Sequence, residues 1–307
     1  MIIKHWTESF VLTDEYYRFL EFCDACKKYR YIGLCYGPPG VGKTLSARRY
    51  TSSDRLAKFD PNAESTASML EELERHGAVL FTPTIGNTPR QVADGLHAAR
   101  NRLYNLLDDQ LRRKLEPEIE AKRVAVSKAA PNVRDNQAAY QKAEKEFYAA
   151  LDHYRHAREK LPRPNTSLII IDEADRLKIA SLEQVRDEFD RSEAGIVLIG
   201  MPGIEKRLAR YPQLYSRVGF VHEFRTLTKG QILKVLQTSW RPEGVNLPIE
   251  TFDDESLAAI VRITGGNFRL LHRLLSQIGR ILEINQLASV TAPVVDAARE
   301  SLVIGMA

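Results

Sequence analysis

The run Gly37-Pro38-Pro39-Gly40-Val41-Gly42-Lys43-Thr44 constrains this chain more than any other stretch, because it is a complete G-x-x-x-x-G-K-[ST] loop. Its surroundings are those the motif needs. The apolar, β-prone run Tyr31-Ile32-Gly33-Leu34-Cys35-Tyr36 precedes it, and Leu45 to Tyr50 suits a helix. Glycines let backbone N–H groups close around a phosphate, and the start of the following helix adds partial positive charge. Lys43 is placed to reach the β- and γ-phosphates of a nucleoside triphosphate, and Thr44 to offer its hydroxyl to Mg2+. Residues 37–45, Leu45 included, form the expected nucleotide-contacting loop.

A matching second half lies downstream in Ser167-Leu168-Ile169-Ile170-Ile171-Asp172-Glu173-Ala174-Asp175. The apolar run reads as a strand buried on both faces of a parallel sheet. Two carboxylates follow at its C-terminal end, where open α/β sheets place their ligands. Asp172 is placed to hold Mg2+ through water, and Glu173 to polarise the attacking water. Together the two motifs imply a chain that binds and hydrolyses a nucleoside triphosphate.

At 307 residues the chain has room for a nucleotide-binding core and a smaller domain. The net charge of +4 is compatible with nucleic acid without demanding it. An apolar run of ~18 residues, which a membrane span needs, is absent, so no membrane partner is expected. The first residues, Met1-Ile2-Ile3-Lys4-His5-Trp6, lack the apolar region of a signal peptide, so a cytoplasmic location is expected. Cys23-x-x-Cys26 is a single pair with no second pair beside it, and with Cys35 it reads as reduced core thiols rather than a zinc site.

Thr13 has the features of an N-cap, opening a helix to about Lys28 that leads into the first strand. Residues 51–66 are polar, 67–76 suit a helix, and Ala78 to Thr84 read as a second core strand. Pro89 stands near the first position of another helix. The two site motifs are separated by roughly 50–60 residues more than a minimal core needs. That excess is assigned to 89–161. Leu103, Leu107, Leu111, Leu115 and Ile119 recur every four residues, Pro117 should kink or restart that helix, and Ala130-Pro131-Asn132 is a break. The return arm alternates Tyr140, Phe147, Tyr154 and Leu161 with Ala143, Ala150 and Ala157. An antiparallel helical hairpin is expected there. Residues 108–164 carry thirteen Lys/Arg and ten Asp/Glu, so the hairpin is either a solvated protein contact or a nucleic-acid arm. Beyond it, a helix is expected from Leu177 to Asp190, a buried strand at Gly195–Gly200 and a short strand at 218–224. From about Arg225 the pattern becomes all-helical, with helices near 228–236, 254–263, 268–284 and 291–303.

This order of motifs resembles the AAA+ ATPases. The resemblance implies an α/β three-layer P-loop core with a parallel sheet at 1–225, carrying the 89–161 hairpin, and a small helical lid domain at 226–307. Tyr211-Pro212-Gln213-Leu214-Tyr215-Ser216-Arg217 resembles the arginine-finger stretch, so Arg217 would reach the γ-phosphate of a neighbouring subunit. Thr264-Gly265-Gly266-Asn267-Phe268-Arg269 resembles the lid motif called sensor 2, so Arg269 would contact phosphates in its own subunit. One element departs from the pattern. The sensor 1 place, normally polar, reads Gly200-Met201-Pro202, which implies slow hydrolysis or a backbone substitute.

The segments 172–177, 182–187 and 196–203 look like the MuB/TnsC/TniB class of transposition regulators. That resemblance implies an ATP- and Mg2+-dependent ring or filament of identical subunits that binds duplex DNA and recruits or stimulates a transposase. Its DNA contacts would be to phosphates, with Arg90, Arg100, Arg102, Arg112, Arg113 and Lys114 as candidates and Arg273 and Arg280 as further ones. Two other readings stay open: an AAA+ switch acting on protein, in secretion or defence, and a relative of replication initiators or helicase loaders.

Overall fold

The structure is a computed structural model of the chain and describes residues 10–53, 77–132, 134, 136–160, 166–237, 242, 245 and 247–302. Five strands form one parallel sheet in the order β2-β3-β4-β1-β5: β1 (Ile32–Tyr36), β2 (Ala78–Phe81), β3 (Leu168–Ile171), β4 (Gly195–Gly200) and β5 (Val218–Glu223). Every residue of β3 and β4 is buried, as unbroken apolar runs require of central parallel strands. β2 pairs with β3 in step from Ala78 opposite Leu168 to Phe81 opposite Ile171, and β1 pairs with β5 up to Tyr36 opposite Glu223. The expected helix at 67–76 and most of the polar stretch at 51–66 lie outside the described residues.

The chain forms two compact units. One joins the N-terminal segment up to Arg49, residues Asp172–Asp175 and the segment from Val197 onward; the other joins Tyr50–Ile171 and Arg176–Ile196. In the first, α1 (Asp14–Tyr29) starts where Thr13 accepts the N–H of Tyr16 through its side chain. The buried face of α1 includes Phe19, Phe22, Cys23 and Cys26. Gly33 of β1 permits the close approach of α1, since a Cβ there would lie 2.3 Å from Cys26 Sγ. All three cysteines are buried free thiols. Burial pushes all three upward, Cys26 to about 12, so they stay protonated.

The same unit holds α2 (Lys43–Tyr50) up to Arg49, and the short α6 (Ile204–Leu208) and α7 (Pro212–Tyr215). Beyond Arg225 it is helical, as expected: α8 (Lys229–Gln237), α9 (Asp254–Thr264), α10 (Phe268–Asn285) and α11 (Ala292–Glu300). These helices share a core that includes Ile232, Leu236, Ile260, Leu271, Leu275 and Val295. They fall in one compact unit with the phosphate loop, not in a unit of their own.

The second unit contains the helical hairpin. α3 (Pro89–Ala129) opens with a capping box between Thr88 and Gln91, and α4 (Gln137–Glu159) returns along it after a short 3-10 turn at Ala130–Asn132. Leu103, Leu107 and Leu115 are buried, and Tyr140, Phe147 and Tyr154 are half-buried; Leu161 lies outside the described residues. Arg158 ties the arms together through Asp108 (2.7 and 3.1 Å) and Tyr104 (3.0 Å), and Lys122 pairs with Glu146 at 2.6 Å.

Two expectations for this region are corrected. Pro117 does not restart the helix: α3 runs through it for 41 residues. Pro117 is exposed, so water can take the carbonyl its missing N–H leaves behind, and packing of α4 on both sides carries the cost. Nor does all of 89–161 belong to the hairpin alone. The first turns of α3 pack on β2 and on α5 (Ile179–Arg191), with Val92 and Leu96 fully buried and Gly95 admitting the Phe81 ring.

Candidate nucleotide site

The loop between β1 and α2 owes its shape to glycines at three places. Gly40 and Gly42 have φ of 81° and 115°, and a Cβ on Gly37 would lie 2.2 Å from the carbonyl oxygen of Phe224. Lys43 begins α2 and is 9% exposed. Its ammonium donates to the carbonyls of Gly37 and, at 2.8 Å, Pro38. Burial lowers the Lys43 pKa and Arg269 adds to that, against the opposing influence of Cys35, Asp172 and Asp175. Val41 is buried, while Leu45 is exposed on the first turn of α2.

Asp172, 4% exposed, stands at the end of β3. Its Oδ2 accepts the Thr44 hydroxyl at 2.7 Å, and its Oδ1 accepts the N–H of Glu173 at 2.9 Å. Residues 128 positions apart are thus brought into contact. Two hard oxygen donors suit Mg2+, which keeps water and phosphate oxygens for the rest of its shell. Among the described residues no cluster of three or more His, Cys, Asp or Glu forms an all-protein cage. Glu173 is exposed and adopts φ 54°, a left-handed backbone that costs a non-glycine residue about 1–3 kcal/mol.

The lid motif meets the phosphate loop through its backbone. Arg269 donates its N–H to the Gly40 carbonyl at 3.0 Å, and Asn267 donates its amide to the Pro39 carbonyl at 2.7 Å. Asn267 also caps α10, accepting from the N–H groups of Arg269 and Leu270. The Arg269 side chain is exposed. Arg217 lies just before β5, half-buried, with its guanidinium donating to the Gln213 carbonyl and its own carbonyl accepting the N–H of Ile32.

The candidate DNA cations divide. Arg100 is corrected: it is 6% exposed and pairs with Glu188 of α5, so it presents no charge to a ligand. Arg90, Arg112 and Arg113 are exposed and paired along their own helix with Asp94, Glu116 and Asp109. Arg102 and Lys114 are exposed on the hairpin, and Arg273 and Arg280 on α10. The sequence reading gave no role to Asn267 or to Asp175, whose Oδ2 accepts the N–H of Met201 at 2.7 Å. Asn267 carried a signal, an N-cap residue type before an apolar helix.

Residues 26–208 match the family described as AAA domain. A Staphylococcus aureus protein named "Potential ATP-binding protein" is 39% identical over 307 residues, covering 97% of this chain and 98% of its own. Among solved structures, Pyrobaculum aerophilum Cdc6p is similar at a TM-score of 0.54 and 16% identity, over 99% of this chain and 71% of that one. The Aeropyrum pernix ORC1 protein in complex with DNA is similar at 0.52 and 18% identity, over 95% of this chain. This chain spans only 66% of that ORC1 chain, and at these identities the likeness is one of fold.

Proposed function

Because the chain belongs to the AAA+ ATPases, we propose that it is an ATP-dependent regulator of DNA transposition. It assembles with itself when ATP is bound, holds duplex DNA without sequence preference, and recruits or stimulates a transposase. The contact of Thr44 with Asp172 beside the buried Lys43 carries the nucleotide half of this reading.

In that reading the backbone N–H groups of residues 37–45 cradle the β-phosphate and Lys43 turns from its loop carbonyls to the β- and γ-phosphates. Thr44 and Asp172 hold Mg2+, which when bound supplies neutralising charge at the phosphate oxygens. Glu173 accepts a proton from the attacking water. Arg269 steadies phosphate charge from its own lid, and Arg217 serves a neighbouring subunit's nucleotide. The lid, 226–307, then acts as a domain on the 1–225 core.

The DNA half rests on the resemblance at 172–177, 182–187 and 196–203 and on the exposed cations of the hairpin. A second reading, a relative of replication initiators, is favoured by the likeness in fold to Cdc6p and to ORC1 in complex with DNA. The deciding experiment measures particle size and DNA binding with a slowly hydrolysed ATP analogue, with and without duplex DNA, at two salt concentrations. Assemblies that need nucleotide and DNA and weaken with salt are expected. Assemblies indifferent to DNA would overturn the DNA half, and no nucleotide dependence would overturn the whole. Purified transposase then separates the two readings, since only a transposition regulator raises strand transfer.

A further inference from the structure

The end of β4 lacks the polar side chain that this place carries in the ATPases the chain resembles, and the structure brings one in from another element. Asp175 lies in the 3-10 turn Ala174–Arg176 just past β3. Its Oδ2 accepts the N–H of Met201 at 2.7 Å, so its carboxylate lies against the loop that follows β4. Gly200 is fitted to it. A Cβ on Gly200 would lie 2.8 Å from Asp175 Oδ2, 3.1 Å from Oδ1 and 2.5 Å from Ile204 Cδ1. A Cβ on Gly200, the last residue of β4, and a carboxylate at 175 therefore exclude each other. The other end of Asp175 is held as well: Arg207 of α6 donates to its main-chain carbonyl at 2.6 Å. The residue is three positions past Asp172, and its charge acts on the Lys43 ammonium.

Resting on the ATPase reading above, we propose that Asp175 is the residue that orients the attacking water together with Glu173, in place of a polar side chain at the end of β4. A carboxylate offers about four acceptor sites, so one N–H leaves it the capacity to hold a water. Two acceptors on one water fix its lone pair toward the phosphorus. The negative charge this adds near the phosphates is offset by Lys43 and Arg269. Asp175 positions the water; Glu173 takes its proton.

The test uses the full chain, with steady-state ATP hydrolysis measured beside equilibrium binding of a fluorescent ATP analogue. Asp175→Ala is expected to lower kcat at least about tenfold while the dissociation constant stays within about threefold. Asp175→Asn, which keeps an acceptor for the Met201 N–H and for a water, is expected to retain most of the turnover. The decisive variant adds Met201→Asn to Asp175→Ala, placing a polar side chain on the first residue past β4, beside the position the carboxylate vacates, and is expected to recover turnover. A residue that only braced the loop would not be replaced in this way. If Asp175→Ala melts well below the wild type, Asp175→Ser carries the same expectation. Unchanged turnover in Asp175→Ala, or a loss that tracks loss of binding with no recovery from Met201→Asn, overturns the proposal. A wild-type chain that binds the analogue but never hydrolyses ATP overturns it too, leaving nucleotide binding intact. One that binds no analogue removes the ATPase reading itself.

Discussion

Glu173 holds a left-handed backbone, φ 54°, directly after the Asp172 carboxylate that accepts its N–H. Strain of this kind persists only where neighbours impose it, and it aims the side chain. Glu173→Gly is therefore expected to be at least as stable as the wild type, and more stable than Glu173→Ala by up to ~1 kcal/mol in chemical denaturation. Hydrolysis should be lost in both. Glu15 gives a second prediction, in acid. It is buried on α1, with His222 Nε2 3.2 Å from one oxygen and the N–H of Arg225 donating to the same oxygen. Burial would raise its pKa, but His222 and Arg225 outweigh that and hold it below 4.5. A lowered folded value means that the stabilisation is complete above the unfolded pKa and disappears as pH falls through the folded one. Glu15→Gln should thus be destabilised at neutral pH, with the gap to wild type closing as pH falls below 4.5 and through the lowered folded value in denaturant titrations.

At the scale of elements, the root of α3 and the cap of α10 make the clearest predictions. Arg100 and Glu188 are a nearly water-free pair joining α3 to α5. Arg100→Ala leaves a buried carboxylate alone and is expected to cost about 3 kcal/mol, most of it recovered by adding Glu188→Leu. Asn267→Ala removes both the cap of α10 and the hydrogen bond to Pro39, so it should cost about 1 kcal/mol of stability and weaken binding of an ATP analogue. These elements also show what could be read beforehand. Helix starts at Thr13 and Thr88 and the break at Ala130 were legible because capping and turn chemistry are local. The buried fate of Arg100 was legible too, since it shares the spacing of Leu96, Leu103 and Leu107, but its charge masked the pattern. Passage through Pro117 was not, because the support comes from a second helix. The Asp175–Met201 contact was not, because a side chain from one element meets a backbone group 26 positions away.

For the molecule as a whole, the expected DNA arm is exposed to a quantitative test. Replacing both Arg102 and Lys114 with alanine should reduce the dependence of log affinity on log salt by about 2 if each contacts one phosphate. An unchanged slope in salt titrations would move the DNA path away from the hairpin. The hairpin has one more consequence. From Arg100 to Ala129 α3 is one continuous helix with a rise of about 45 Å, anchored at its base by a buried pair. An unbroken α-helix couples reach to azimuth, because every residue removed both shortens the rod and rotates its end. Trimming seven residues from each arm draws the tip back by about 10 Å yet turns it by only about 20°. Trimming four from each retracts it by about 6 Å but swings it by about 40°. The reach and the heading of the hairpin are therefore set together by the number of residues in its arms.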